Sequence, residues 1–338
     1  MTPEVSVVIP AYNSEAYIAQ ALESVLCQTH RNLEVILVDD ASVDSTIKIA
    51  RSFNDKRLRI IANQQNRGVS YSRNCGIQAA RGTWIALLDS DDWYAPERLE
   101  ILLSAAKGEN ADLVADDLNL IRDRDSQPWS TLLRENRLET SSVKTIDAID
   151  FVISDRPHPI NKKRNWSFGY TKPLMKREFL LDRGIKYDEA IDVGEDFVLY
   201  LECLRQKAKF VLLPQAYYFY RTRATSLSTR KPTEYLAESC DIIQLFIDRE
   251  LDINSTSQLL TVLFESLAVY NQRLDYYRVI EAIKQRKIIK SILLIIDNPY
   301  TLGTIVNKLV GLVIKKVLSI VESKSRERID FNVASMKE

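Results

Sequence analysis

Asp89-Ser90-Asp91-Asp92 packs three carboxylates into four residues, directly behind the apolar run Trp84-Ile85-Ala86-Leu87-Leu88. Acids this close repel one another unless a cation or well-aimed donors neutralise them. An apolar run of that length fits a strand buried on both faces of a parallel sheet, and open α/β sheets bind ligands beyond the carboxyl ends of their strands. A solvated turn is the plainer reading of the same four residues. What the rest of the chain places beside them decides between the two.

Composition limits the chemistry. The chain has 338 residues, 46% of them hydrophobic and 27% charged, which is an ordinary globular balance with room for two domains. Lys+Arg and Asp+Glu are equal at 46 each, so nothing points to a nucleic-acid partner. Cys27, Cys75, Cys203 and Cys240 lie far apart with no CxxC, against a zinc site or disulfide framework and in keeping with a reducing compartment. With two histidines in all, His30 and His158, a His-rich metal site is excluded. A metal here would be hard and oxygen-bound, Mg²⁺ or Mn²⁺. The N-terminus lacks a basic segment and its apolar run stops at Pro10, so it does not read as a signal peptide, and folding in the cytoplasm is expected.

The elements that would position the acids alternate. Val5–Ile9, Leu33–Val38, Leu58–Ala62 and the run at Trp84 read as strands. Between them fall helices over about Ser14–Leu26, Ser45–Phe53 with Asp44 as its cap, and Asn66–Ala80. Strands alternating with short helices imply a parallel sheet, and polar residues follow each strand: Asn13, Asp39 and Asp40, Asn63, then Asp89 and Asp91. Further on, the pattern predicts a helix from Pro96 to Ala106, a strand over Leu113–Ile121 and a polar excursion over 122–145. It then predicts a helix from Lys176, a strand or turn at Gly184–Asp188, and a helix carrying Phe197, Leu201 and Leu204. Two extended segments, Phe210–Leu213 and Tyr217–Tyr220, are separated by Pro214. Arg221 and Arg223 read as ordinary surface charge. There is no GxGxxG after the first strand and no GxxxxGK[ST], against a dinucleotide dehydrogenase or a P-loop NTPase.

Four blocks in order resemble the family 2 glycosyltransferases: Val7-Val8-Ile9-Pro10-Ala11-Tyr12-Asn13, Val38 to Thr46, Asn66 to Asn74, and Leu88-Asp89-Ser90-Asp91-Asp92-Trp93. Gly194-Glu195-Asp196 is similar to that family's later acidic motif. The resemblance covers about residues 4–230. It implies the GT-A fold, an α/β Rossmann-like, mostly parallel sheet flanked by helices, over 1–230; beyond it the residue pattern itself reads as a C-terminal α-helical region over 231–338. The resemblance also implies inverting transfer of a sugar from a nucleotide-sugar donor, a UDP-sugar being the commonest, to a saccharide or lipid-linked saccharide. Carried over to this chain, Pro10, Ala11, Tyr12 and Asn13 would line the nucleotide pocket, and Asp40 would bond base or ribose. Arg73, Asp89, Asp91 and Asp92 would face the donor, and Asp91 with Asp89 would hold Mg²⁺ or Mn²⁺. Asp196, with Glu195 beside it, would take the acceptor's proton, and Trp166, Tyr170 and Lys172 would lie in the acceptor region. The chemistry suits such residues: a hard cation offsets the charge of a departing diphosphate, a carboxylate activates a hydroxyl, and aromatic faces suit the C–H surface of sugars.

Two other classes compete. A nucleotidyltransferase would need a glycine-rich G-x-G-T-R-type loop after the first strand, where Pro10-Ala11-Tyr12-Asn13 stands. A non-catalytic nucleotide- or carbohydrate-binding module would have little use for Asp89, Asp91 and Asp196 together. The stretch 284–321 sets Lys284, Arg286, Lys287 and Lys290 before Ile292–Ile296, and after Pro299 continues with apolar residues at helical spacing. It is too broken to span a bilayer. It fits a helix lying at a membrane surface, or one packed on the catalytic domain or on a second copy of the chain.

Overall fold

A computed structural model describes residues 2–123, 125–136, 142–157, 167–222, 231–253, 257–298, 302, 303 and 306. The alternation read from the sequence is present: β1 (Val5–Ala11), α1 (Ile18–Leu26), β2 (Leu33–Asp39), α2 (Thr46–Ser52), β3 (Leu58–Ala62), α3 (Val69–Ala79) and β4 (Trp84–Leu87). β1, β2 and β4 are buried at every position, which is why they read as mainly apolar runs; the polar exceptions inside β1 and β2, Ser6 and Glu34, bond to each other. α1 buries Ile18, Ala21, Leu22, Val25 and Leu26, the i, i+3, i+4, i+7 stripe of a helix lying on a sheet. These strands are parallel, ordered β3-β2-β1-β4. Their register sets Ala11 beside Asp39 and Asp39 beside Ala62, so the carboxyl ends share one edge.

The second half widens the sheet. Next come β5 (Trp93–Tyr94), α4 (Arg98–Gly108) and β6 (Leu113–Arg122). The polar excursion contains β7 (Ser130–Thr131), α5 (Leu132–Glu135) and β8 (Lys144–Ile146), followed by α6 (Ala148–Asp155). Then β9 (Leu174–Lys176), α7 (Arg177–Asp182), α8 (Glu195–Arg205) and β10 (Phe210–Thr222) complete a sheet in the order β3-β2-β1-β4-β9-β6-β10-β5. The short β9 runs antiparallel between β4 and β6, whereas β6 and β10 pair in parallel. Pro214 does not divide β10; the strand passes through it with register shifts between Leu213 and Tyr218, where the missing proline N–H is absorbed by a bulge. Gly184–Asp188 forms no strand.

α9 (Pro232–Ile253), α10 (Gln258–Lys284) and α11 (Ile288–Asp297) follow. The chain divides into two compact units, one of Met1–Arg156, Lys163–Arg230 and Ile242–Ser266, the other of Pro157–Lys162, Lys231–Asp241 and Leu267–Glu338. The first therefore takes in a helical stretch beyond the boundary expected near residue 230. In the second, Asn298 Nδ2 donates to Asp275 Oδ2 at 2.8 Å.

Candidate active site

Small residues bring the first charged group into place. α3 buries Ser70, Ser72, Arg73, Gly76 and Ile77. Gly76 lies so near β1 that a Cβ there would stand 2.2 Å from Val8 Cγ1. That close approach carries Arg73, with a side chain only 2% exposed, to the end of β4. From the other side, Gly194 turns the chain with φ +84°, a conformation that glycine adopts without strain, and α8 begins with Glu195 and Asp196. Carboxylates in the first turn of a helix are favoured by its dipole. Lys172 enters after a 3₁₀ turn at Phe168–Tyr170. Its carbonyl accepts from Arg98 Nη2 at 2.6 Å, and Arg98 is itself paired with Asp116, both side chains being fully buried.

Two cations and two carboxylates close a ring of alternating charge. Arg73 Nη2 donates to Asp89 Oδ1 at 2.8 Å, and Lys172 Nζ lies 3.0 Å from Asp89 Oδ2. The same two groups reach Asp196, Arg73 Nη1 to Oδ1 at 3.2 Å and Lys172 Nζ to Oδ2 at 2.5 Å. Tyr187 and Tyr200 also donate to Asp196 Oδ1, at 2.7 and 3.4 Å, and Arg73 Nη1 holds Glu195 Oε1 at 2.8 Å. Burial pulls Arg73 and Lys172 towards neutrality, but the Asp196 and Asp89 carboxylates outweigh it and hold both cations well above their ordinary ranges. Burial likewise opposes the charge on Asp89, and Lys172 with Arg73 overcomes it, holding that carboxyl well below the usual range. Glu195 moves the other way: burial, then the charge of Asp196, push it up.

The rest of the acidic turn is braced from β10. Tyr218 Oη donates to Asp92 Oδ2 at 2.8 Å, the Arg221 backbone N–H to Asp92 Oδ1 at 2.7 Å, and Arg221 Nε to the Asp91 carbonyl at 2.8 Å. Burial, then the charges of Asp91 and Asp89, push the Asp92 carboxyl well above the usual range. Arg221 is buried, with its guanidinium 4.7 Å from the Trp93 ring centre and bonded to Gln20, so it is a strut of this turn and not the surface charge expected. The aromatic stretch Tyr217–Tyr220 before it is the signal in its sequence neighbourhood that could have marked it. Arg223 lies outside the described residues.

At the ends of β1 and β2, Pro10 and Ala11 are buried, whereas Tyr12 is 49% exposed. Asn13 adopts φ +47° and accepts from the Val43 N–H at 2.9 Å, tying the first turn to the second. Asp40, expected at base or ribose, spends its carboxylate on Asn63 Nδ2 at 2.7 Å and on the N–H groups of Arg67 and Gly68 at 3.0 and 2.8 Å, shaping the entry to α3. Its neighbour Asp39 keeps one buried oxygen, Oδ1, without a hydrogen-bond partner among the described residues. Asp44 accepts from the Thr46 N–H at 2.9 Å, but it lies one residue ahead of the helix cap, which is Ser45 and not Asp44 as expected. Of the residues expected in an acceptor region, Tyr170 meets the Tyr220 ring edge-on at 6.1 Å, Lys172 faces the carboxylates, and Trp166 lies outside the described residues.

Among the described residues, no group of three or more His, Cys, Asp and Glu side chains is arranged to hold a metal unaided. Both oxygens of Asp89 face cations, and Asp92 is engaged by Tyr218 and Arg221. This donor set fits a cation held by the half-buried Asp91 carboxylate and completed by ligand phosphates and water, which is how Mg²⁺ is commonly bound.

A mostly parallel sheet with this carboxylate-rich edge defines a class, and comparison assigns it. The family model described as "Glycosyl transferase family 2" matches residues 6–184, more than half of the chain, and the chain belongs to that family. Among similar proteins, the succinoglycan biosynthesis protein ExoO of Rhizobium meliloti (strain 1021) is 35% identical over 226 residues, 67% of this chain and 63% of the relative. ExoU of the same organism is 31% identical over 229 residues, 67% of this chain and 64% of the relative. The matches thus span less than two thirds of either relative. Among solved structures, S. aureus TarS 1–349 in complex with UDP-GlcNAc superposes with a TM-score of 0.60 at 18% identity, covering 89% of this chain and 92% of that one. The mannosyltransferase PcManGT from Pyrobaculum calidifontis, in complex with GDP-Man and Mn²⁺, gives 0.53 at 16% identity, covering 90% and 84%. At such identities the likeness is one of fold, the GT-A type.

Proposed function

We propose that this chain transfers a sugar, with inversion, from a nucleoside-diphosphate sugar, in the first instance a UDP-sugar, to a hydroxyl of a saccharide or lipid-linked saccharide during polysaccharide synthesis. The observation that carries this reading is the charge ring that ties Asp89, at the mouth of the acidic turn, to Asp196 at the start of α8. In this reading the first serves as the donor-side carboxylate and the second as the acceptor-side one. The names of the succinoglycan relatives and the UDP-GlcNAc bound to TarS support polysaccharide synthesis and a UDP-sugar.

In this reading Tyr12, exposed beyond the buried Pro10 and Ala11, lies against the base, and Asp40 with Asn13 keeps the surrounding turns in shape. Asp91 would hold Mg²⁺ or Mn²⁺, which when bound offsets charge on the diphosphate. The acceptor oxygen bonds to the anomeric carbon as that carbon's bond to the diphosphate oxygen breaks, and the acceptor proton passes to Asp196. Arg73 holds the Asp196 carboxylate in its orientation through Nη1.

Titration calorimetry with UDP, GDP and dTDP, each with and without Mn²⁺, tests the donor site. One nucleotide should bind in a Mn²⁺-dependent way, and Asp91→Ala should abolish this. Slow release of nucleoside diphosphate from a donor without acceptor separates an enzyme from a binding module. Release of pyrophosphate on mixing a sugar phosphate with a nucleoside triphosphate would instead mark a nucleotidyltransferase.

We extend the reading to a place at the cytoplasmic face of a membrane. No helix among the described residues is long and apolar enough to cross one. α11 instead leaves Ile288, Ile289, Ile292, Leu293 and Ile296 exposed, with Arg286, Lys287 and Lys290 beside them, a pairing that suits anionic lipid. Flotation with phosphatidylglycerol vesicles should carry the full chain and not its Ile289→Asp/Leu293→Asp variant. Absence of flotation together with a dimer mass in sedimentation would assign that face to a second copy.

A further inference from the structure

We propose that Lys172 is a positioning residue for proton transfer, aiming Oδ2 of Asp196 at the acceptor hydroxyl and fixing that carboxylate's separation from the donor-side turn. This rests on the transfer reading above and changes the place of Lys172 in it, from a contact with the acceptor to a group that acts through Asp196.

The two oxygens of Asp196 are unequally committed. Oδ1 accepts from Arg73, Tyr187 and Tyr200, while Lys172 is the donor to Oδ2 among the described residues. A carboxylate oxygen offers two lone pairs. Three donors saturate Oδ1, and one donor leaves Oδ2 able to accept a proton. Oδ2 is therefore the basic atom, and Lys172 sets its direction.

Lys172 is itself held at both ends. Its carbonyl is fixed by Arg98, which the fully buried Asp116 locks in place. Its Nζ is shared between Asp196 and Asp89 in a side chain only 5% exposed. An ammonium in that position has little surface left for a sugar. It does span from Asp89, two residues before Asp91, to the carboxylate that receives the proton, so the donor turn and the base keep a fixed spacing. In the step itself the acceptor oxygen forms its bond to the anomeric carbon and the carbon–diphosphate bond breaks. The acceptor proton goes to Asp196 Oδ2, while Lys172 keeps all of its own protons.

The test compares wild type, Lys172→Met, Lys172→Arg, Asp196→Asn and the Lys172→Met/Asp196→Asn double variant. The readouts are kcat, acceptor KM, donor Kd by calorimetry, and Tm. Lys172→Met should lower kcat by about 100-fold, the scale of a lost acid–base contribution, with acceptor KM and donor Kd within about threefold. Lys172→Arg should recover at least about tenfold of that loss, because it restores the cation. Added to Asp196→Asn, Lys172→Met should cost almost nothing further, since both act through one atom. The double variant removes both charges together, so it keeps the comparison open if Lys172→Met alone is too unstable. A raised acceptor KM with unchanged kcat, additive losses in the double variant, or wild-type kcat in Lys172→Met would each overturn the inference. A wild-type chain that turns over no donor would instead overturn the transfer reading, and this inference with it.

Discussion

Arg73 and Asp89 lie sixteen residues apart, one on α3 and the other just beyond β4, and meet at 2.8 Å through Nη2 and Oδ1. Because Nη1 of the same guanidinium reaches Glu195 and Asp196, this one buried cation serves three carboxylates. The planar fork spreads its donors over separate nitrogens, whereas an ammonium gathers its charge at one point. Arg73→Met leaves Lys172 alone against three acids and should cost about 3–5 kcal/mol in urea unfolding, as expected for a buried pair broken from one side. Arg73→Lys should lose less stability but still much of the turnover.

A second buried cluster predicts how the sheet responds to acid. Glu34 accepts from Ser6 Oγ at 2.7 Å and from the Arg81 backbone and side chain at 2.8 Å. Burial works against its charge, but the Ser6 and Arg81 donors outweigh it, and the carboxyl sits below its ordinary 4.5. A carboxyl lowered in the folded state contributes stability that is present above the ordinary value and lost as pH falls through the folded one. Glu34→Gln should therefore cost about 1–2 kcal/mol near neutral pH. That gap should narrow as urea titrations are moved below pH 4.5.

Gly76 offers a packing test. In an exposed helix, alanine would be favoured over glycine by about 1 kcal/mol. Here the new Cβ would meet Val8 Cγ1 at 2.2 Å, so Gly76→Ala should destabilise by about 1–3 kcal/mol through overpacking. Lifting α3 away from β1 also moves Arg73, and turnover should fall. Val8→Ala in the same chain reopens the space and should restore part of both.

The cysteines should separate by reactivity. Burial, with Glu202 adding to it, pushes the Cys203 thiol up to about 12, and burial with Asp241 pushes Cys240 up to about 11. Cys27 is exposed. Ellman's reagent at pH 8 should label Cys27 quickly, and Cys203 and Cys240 only after unfolding, because the thiolate is the reacting form. Fast labelling of Cys203 in the native chain would contradict the packing of α8.

β1, β2 and β4 were legible because a strand buried on both faces is mainly apolar, and Val5–Ile9 or Leu33–Val38 can be little else; β3, only partly buried, was marked by its place in the alternation. β9 was not legible. Its three residues carry no periodicity, and its antiparallel place between β4 and β6 is set by partners distant in sequence. Pro214 read as a break, yet pairing with β6 on both sides of it holds β10 as one bulged strand. Arg221 was misplaced because a lone basic residue in sequence defaults to the surface, and only a fold that sets acceptors such as Asp123 and the Asp91 carbonyl around it draws it inside.

By itself the sequence determined the βαβ order, the strand ends that gather Asn13, Asp40 and Asp89 on one edge, and the acidic pair that opens α8. These follow from local preferences: apolar runs make buried strands, and acids favour helix starts. Which oxygen of Asp196 Lys172 holds, and that Arg73 closes a ring through Asp89, only the tertiary structure decided. Those contacts join residues up to 123 positions apart, and their strength comes from burial, which no local stretch of chain possesses.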